Sequence, residues 1–206
     1  MTLIALDFEA SCLPRHGRSY PIEIGIADEH GLIRSWLIRP PDAWAGWGWT
    51  QEAERLHGIS KEQLARDGLP PARVVAELEP YVRGARVIAD SHFDAPWLMT
   101  LSALAAKQPP CAIGHVADLL EEMGAAYEHV EAALRQLDRQ PFRRHRAVED
   151  ARFIIALVRE VRGQVEKTRE SQPVFDWRRA PPIARPSSTR RSRSTCSSPP
   201  MSTSGT

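Results

Sequence analysis

Cysteines, long apolar runs and internal repeats are scarce in this sequence, and each scarcity removes a class of protein. Only three cysteines occur among 206 residues, Cys12, Cys111 and Cys196, and no two form a CxxC pair. That leaves no basis for a disulfide framework or a zinc knuckle and points to a reducing compartment. The longest apolar run, Phe153 to Val158, is far short of the roughly 20 residues that span a bilayer. No segment repeats itself, which sets aside solenoids and propellers. A cytoplasmic protein without membrane association is the expectation.

An excess of either charge is missing too: 27 Lys and Arg against 26 Asp and Glu give a net charge of +1. The balance is uneven along the chain. Residues 178–206 hold six Arg and no acid, which leaves 21 basic against 26 acidic residues in 1–177. A mildly acidic body does not grip nucleic acid through a broad basic surface, but it suits carboxylates gathered around metal ions. The same 178–206 stretch has eight Ser, four Thr and five Pro, with Ile183 and Met201 its only large aliphatic residues. Such a segment buries too little apolar surface to offset its ordering entropy. The expected organisation is one domain over 1–165, then a linker and a disordered tail over 166–206.

Within the domain, strands precede an alternation of helices and strands. Leu3 to Glu9 reads as a strand with Leu3, Ala5, Asp7 and Glu9 on one face. Ile22, Ile24 and Ile26 repeat the two-residue period, and Leu32 to Ile38 follows a His30-Gly31 turn. Three strands so close together predict an antiparallel meander. Helices are expected over 50–56, 60–66, 71–82, 95–107, 118–123, 130–137 and 146 to about 162, with further strands over 86–90 and 112–116. In the last helix Ala147, Ala151, Ile154, Val158 and Val161 step by four and three residues, so they form one buried stripe.

Three groups of polar residues stand out against this pattern. Asp7 and Glu9 put two anions on one strand face, which is harmless at a solvated edge but repulsive elsewhere unless a cation lies between them. Asp94, two residues before Pro96, reads either as a helix cap or as a metal ligand. His145 and Asp150 are five residues apart, about 140° around a helix, so they converge only if His145 lies on the loop before it. Three tryptophans, Trp44, Trp47 and Trp49, are read as a cover for the sheet or for a partner subunit, with stacking on unpaired bases as the alternative.

Taken in order, Asp7-x-Glu9, Phe93-Asp94 opening a helix, and His145-x4-Asp150 resemble the DnaQ-like, or DEDDh, exonuclease family. Pro21-Ile22-Glu23-Ile24-Gly25 and Leu56-His57-Gly58-Ile59 add to the resemblance, which spans residues 1–162. It implies an α/β ribonuclease H-like fold, with a five-stranded mixed sheet, first an antiparallel meander and then parallel strands, flanked by helices. It also implies a 3′-to-5′ exonuclease using two Mg²⁺ or Mn²⁺ ions held by Asp7, Glu9, Asp94 and Asp150. His145 would be the general base, a role suited to an imidazole. Ala10, Ser11, Cys12 and His57 would line the 3′-terminal nucleotide site. The partners implied are 3′ ends of single-stranded RNA or DNA, with homodimerisation left open. Two positions depart from the family pattern: Ala10-Ser11-Cys12 replaces the common Thr-x-Gly, and Asp90 stands where Asn is often found.

Overall fold

The structure, a computed structural model, describes residues 1–142 and 144–171. Of the linker and tail expected over 166–206, residues 172–206 lie outside the described residues. Strands β1 (Leu3–Ala10), β2 (Pro21–Asp28) and β3 (Ile33–Leu37) form the meander. Helices α1 (Gln51–His57), α2 (Lys61–Asp67) and α3 (Pro71–Val82) lead to β4 (Arg86–Ala89), followed by α4 (Asp94–Leu104), β5 (Ile113–His115), α5 (Val116–Glu122), α6 (Tyr127–Leu137) and α7 (Ala147–Ser171). The sheet order is β3-β2-β1-β4-β5. The first three strands pair antiparallel, while β4 runs parallel to β1 and β5 parallel to β4. The mixed five-stranded sheet expected from the sequence is therefore the one observed.

Side-chain size separates the two sheet faces. Ile4, Leu6 and Phe8 of β1 and Ile22, Ile24 and Ile26 of β2 point to one side, where Val74 and Leu78 of α3 and Leu98 and Leu101 of α4 complete a core of large residues. On the other side β1 and β2 present Ala5, Asp7 and Glu9 opposite Ala27, Gly25 and Glu23, directly paired in that order. Small residues in the middle of this face let α7 lie close against the sheet, where its buried stripe meets Ala5, Ala27 and Ile88. Gly25 is the closest approach: a Cβ there would fall 2.2 Å from the backbone nitrogen of Val148.

The expected helices are all present, with shifts at their ends. Ser60 caps α2 as its spacing predicts, its Oγ accepting from the Gln63 amide at 3.2 Å. Helix α7 runs past the expected boundary at 165 to Ser171, because Val165 continues the stripe four residues after Val161. Residues 166–171 are thus helix rather than linker. Trp44 is buried and stacks on Tyr20 at 5.3 Å, with Trp47 and Trp49 around the same ring. The three indoles belong to the core on the large-residue face, in line with the covering role. Among the described residues no helix is long and apolar enough to cross a membrane.

Candidate active site

The carboxyl ends of β1 and β4, neighbouring parallel strands, open into a cleft of about 270 Å³. Central strand β1 is hydrogen-bonded on both sides and carries Asp7 and Glu9 into it. Asp94 begins α4, just beyond the end of β4. Its side chain does not cap that helix, and among the described residues neither of its carboxylate oxygens has a hydrogen-bond partner, although the residue is fully buried. A cap is therefore not the explanation for this aspartate. Buried polar atoms without partners are rare in stable proteins, because each forfeits its hydration.

The opposite wall is the start of α7, and Glu23 of β2 fixes it. This fully buried carboxylate accepts from Arg146 Nη2 at 2.7 Å, from Arg146 Nε at 3.0 Å and from the Ala147 amide at 3.2 Å. With Gly25 allowing backbone contact two residues along, the first turn of α7 lies beside Asp7 and Glu9. His145 sits on the loop before the helix in a left-handed conformation, φ 66°, a costly geometry for a non-glycine residue. Its amide donates to Asp150 Oδ2 at 2.8 Å. The loop placement brings His145 and Asp150 to the same cleft. Arg144 forms an ion pair with Asp150, Nε to Oδ1 2.8 Å, outside hydrogen-bond geometry.

The acids form two overlapping groups of three. Oxygens of Asp7, Glu9 and Asp150 lie within 4.8 Å of one another, and so do oxygens of Asp7, Asp90 and Asp94. Asp7 belongs to both. Burial, followed by the charges of Asp94, Glu9, Asp150 and Asp90, holds the Asp7 carboxyl well above its ordinary range. Burial and then Asp150 and Glu23 push Glu9 up to about 8, against the opposing pull of Arg146. Asp94 is likewise pushed up to about 8 by burial and by Asp90, while the amides of Phe8 and Ser91 oppose this without reaching hydrogen-bond geometry. Burial raises Asp150 too, with Arg144 and the His145 amide working against it. Carboxylates this crowded favour protons or cations, and hard divalent ions are the ligands for such an all-oxygen set. The residues present therefore fit divalent-cation binding.

The expected nucleotide-binding residues divide. Ala10, Cys12 and His57 line the cleft. Ser11 is fully buried, and its Oγ accepts from the Tyr20 amide at 3.0 Å, tying β1 to the segment before β2 rather than forming cleft wall. Burial raises the Cys12 thiol, which leaves it a neutral packing group. His57 accepts from the Ile59 amide through Nδ1, and burial lowers its pKa to about 4, so its proton resides on Nε2, which has no partner among the described residues. Sequence reasoning missed Asp90 as a member of the acidic group, and Leu13, Leu56 and Phe93, exposed apolar side chains that rim the cleft. It also missed Arg144.

No family model and no curated protein matches the chain. Solved structures do match. Escherichia coli exonuclease I in complex with a dT13 oligonucleotide superposes with a TM-score of 0.62 at 12% identity, over 82% of this chain and 42% of that one. The chain has the ribonuclease H-like fold of exonuclease I. A moderately thermophilic exonuclease I from Methylocaldum szegediense gives a TM-score of 0.58 at 17% identity, over 84% of this chain and 41% of that one. A product-bound exonuclease I gives 0.60 at 13%, over 82% and 46%. The chain thus spans less than half the length of these exonuclease I chains.

Proposed function

We propose that the chain is a metal-dependent 3′-to-5′ exonuclease that shortens single-stranded nucleic acid and releases nucleoside 5′-monophosphates. The observation that carries this reading is the pair of carboxylate triads joined at Asp7, with His145 held beside one of them by Asp150. Asp7, Glu9 and Asp150 would hold one divalent ion, and Asp7 with Asp94 the other. Such ions supply positive charge to the scissile phosphate and favour ionisation of water. His145 takes the proton from the attacking water, and Asp150 fixes the backbone from which the imidazole projects. The His57 Nε2–H donates to the terminal nucleotide, and Leu13, Leu56 and Phe93 give its base an apolar seat. A dT13 and a dA16 oligonucleotide occur in complexes of E. coli exonuclease I, so single-stranded DNA is the first substrate to test.

Incubation with 5′-labelled single-stranded DNA and RNA should give a descending ladder with Mg²⁺ or Mn²⁺ and none with EDTA. Folded, cation-loaded protein that degrades neither polymer would rule the proposal out. His145→Ala is expected to lower turnover by a factor of about 10² or more, the usual worth of a general base, while Mn²⁺ binding followed by calorimetry stays at the wild-type level. A silent nucleic-acid-binding protein would show no difference between the two chains.

A further inference from the structure

Asp90 follows the last residue of β4 and is solvent-exposed, a position where an acid ordinarily signifies nothing. Three observations give it significance here. An oxygen of Asp90 lies within 4.8 Å of oxygens from both Asp7 and Asp94. Asp94, the innermost member, is fully buried with both oxygens unpartnered among the described residues, so the group includes acceptor atoms that no described residue satisfies. The backbone that carries Asp90 is also anchored. His115 accepts from the Ala117 amide through Nδ1, which leaves its proton on Nε2, and Nε2 lies 3.0 Å from the Asp90 carbonyl oxygen. His92 stacks on the His115 ring at 4.6 Å.

We infer that Asp90 is a direct ligand of the second cation, making Asp7, Asp90 and Asp94 a three-carboxylate site that fills without nucleic acid. The inference rests on the two-cation reading of the same cleft and extends it by one ligand and one property. Each carboxylate added to a hard-cation site contributes a full negative charge and an oxygen donor, and cation affinity rises with the number of charged ligands. With only Asp7 and Asp94, the second ion would depend on phosphate oxygens from the substrate to complete its shell. With Asp90, the protein alone supplies three carboxylates to that ion, as it does to the first through Asp7, Glu9 and Asp150. Asparagine at position 90 would keep an oxygen donor but remove the charge, so Asp90→Asn isolates the electrostatic contribution.

The test is a Mn²⁺ titration of the full chain without nucleic acid, with free ion read by electron paramagnetic resonance. Wild type is expected to bind two ions per chain. Asp90→Asn should bind the first with unchanged affinity and the second at least about tenfold more weakly, and Asp94→Asn should weaken the same site. Melting in EDTA checks that Asp90→Asn is folded, and Asp90→Glu, which restores the charge, should recover part of the lost affinity. The inference is overturned if wild type binds one ion only, or if Asp90→Asn binds both as wild type does. Its fate is separable from that of the exonuclease reading: a chain that binds two ions through Asp90 but degrades no polymer would retain this site and lose that activity.

Discussion

Gly25→Ala is expected to destabilise the protein by about 4 kcal/mol or more, placing it among the rare large single-residue effects. The added methyl would lie 2.2 Å from Val148 N, 2.3 Å from the Ala147 carbonyl carbon and 2.5 Å from Val148 Cα. All three are backbone atoms, so no side-chain rotation relieves the clash. Helix α7 must move outward by more than 1 Å at its first turn, and that turn is held to the sheet by Glu23 and by the buried Ala147 and Ala151. Movement there also draws His145 and Asp150 away from Asp7. A fall in melting temperature of about 10 °C or more should appear by circular dichroism, together with loss of the proposed nuclease activity. Gly163→Ala serves as the control, because it lies in the same helix and its Cβ would meet nothing within 4 Å. It should be neutral or stabilising by up to about 1 kcal/mol, as alanine is the better helix former. A Gly25→Ala protein that melts like wild type would mean that α7 does not rest on β2 as described.

Asp7→Asn should have opposite effects on activity and on stability without cations. Asp7 is the acid shared by both triads, so on the proposed two-cation reading its loss weakens both sites, and the proposed exonuclease activity should fall by about 10³-fold or more. In EDTA near neutral pH, however, the variant should melt higher than wild type, because burial and the neighbouring carboxylates hold Asp7 well above its ordinary range, so the folded chain must keep a proton that the unfolded chain gives up, and an amide carries no such cost. The same crowding sets the pH dependence of the wild-type protein. Glu9 and Asp94 are pushed up to about 8 from ordinary carboxylate values. Below the ordinary values both folded and unfolded chains are protonated and there is no penalty. As pH rises, the unfolded chain releases protons that the folded one retains, so stability in EDTA should decline until the folded-state values are passed. Cations compete with those protons, so the rise in melting temperature caused by Mn²⁺ should grow across the same window. Melting curves at several pH values, with EDTA and with Mn²⁺, check both directions; stability that increases with pH in EDTA would contradict the buried-acid picture.

What could be read from the chain and what could not divide along physical lines. The isoleucines of β2 and the aliphatic stripe of α7 were legible because periodicity survives without tertiary structure. Asp7 and Glu9 stand out because two anions on one face of an apolar strand contradict its pattern, whereas Asp94 and Asp150 fit a helix cap and a first-turn acid, and only the family resemblance sets them beside that pair. Asp90 was not, since an acid at a strand end violates no local rule, and only the parallel pairing of β4 with β1 brings it near Asp7. Glu23 and Arg146 meet across 123 residues of sequence, and nothing in either segment announces the contact. For Ser11 the family resemblance implies a place beside the terminal nucleotide, whereas its hydroxyl serves the Tyr20 amide, a contact between segments nine residues apart that no local pattern announces.

The strand that carries Asp7 and Glu9 is the middle one of five, laced to β2 on one edge and to β4 on the other. Its amides can reach bulk solvent only if the whole sheet comes apart. On the proposed reading, chelation would therefore strip the cleft of countercharge without melting the framework that holds its acids, and refilling would be a matter of ion exchange rather than of refolding.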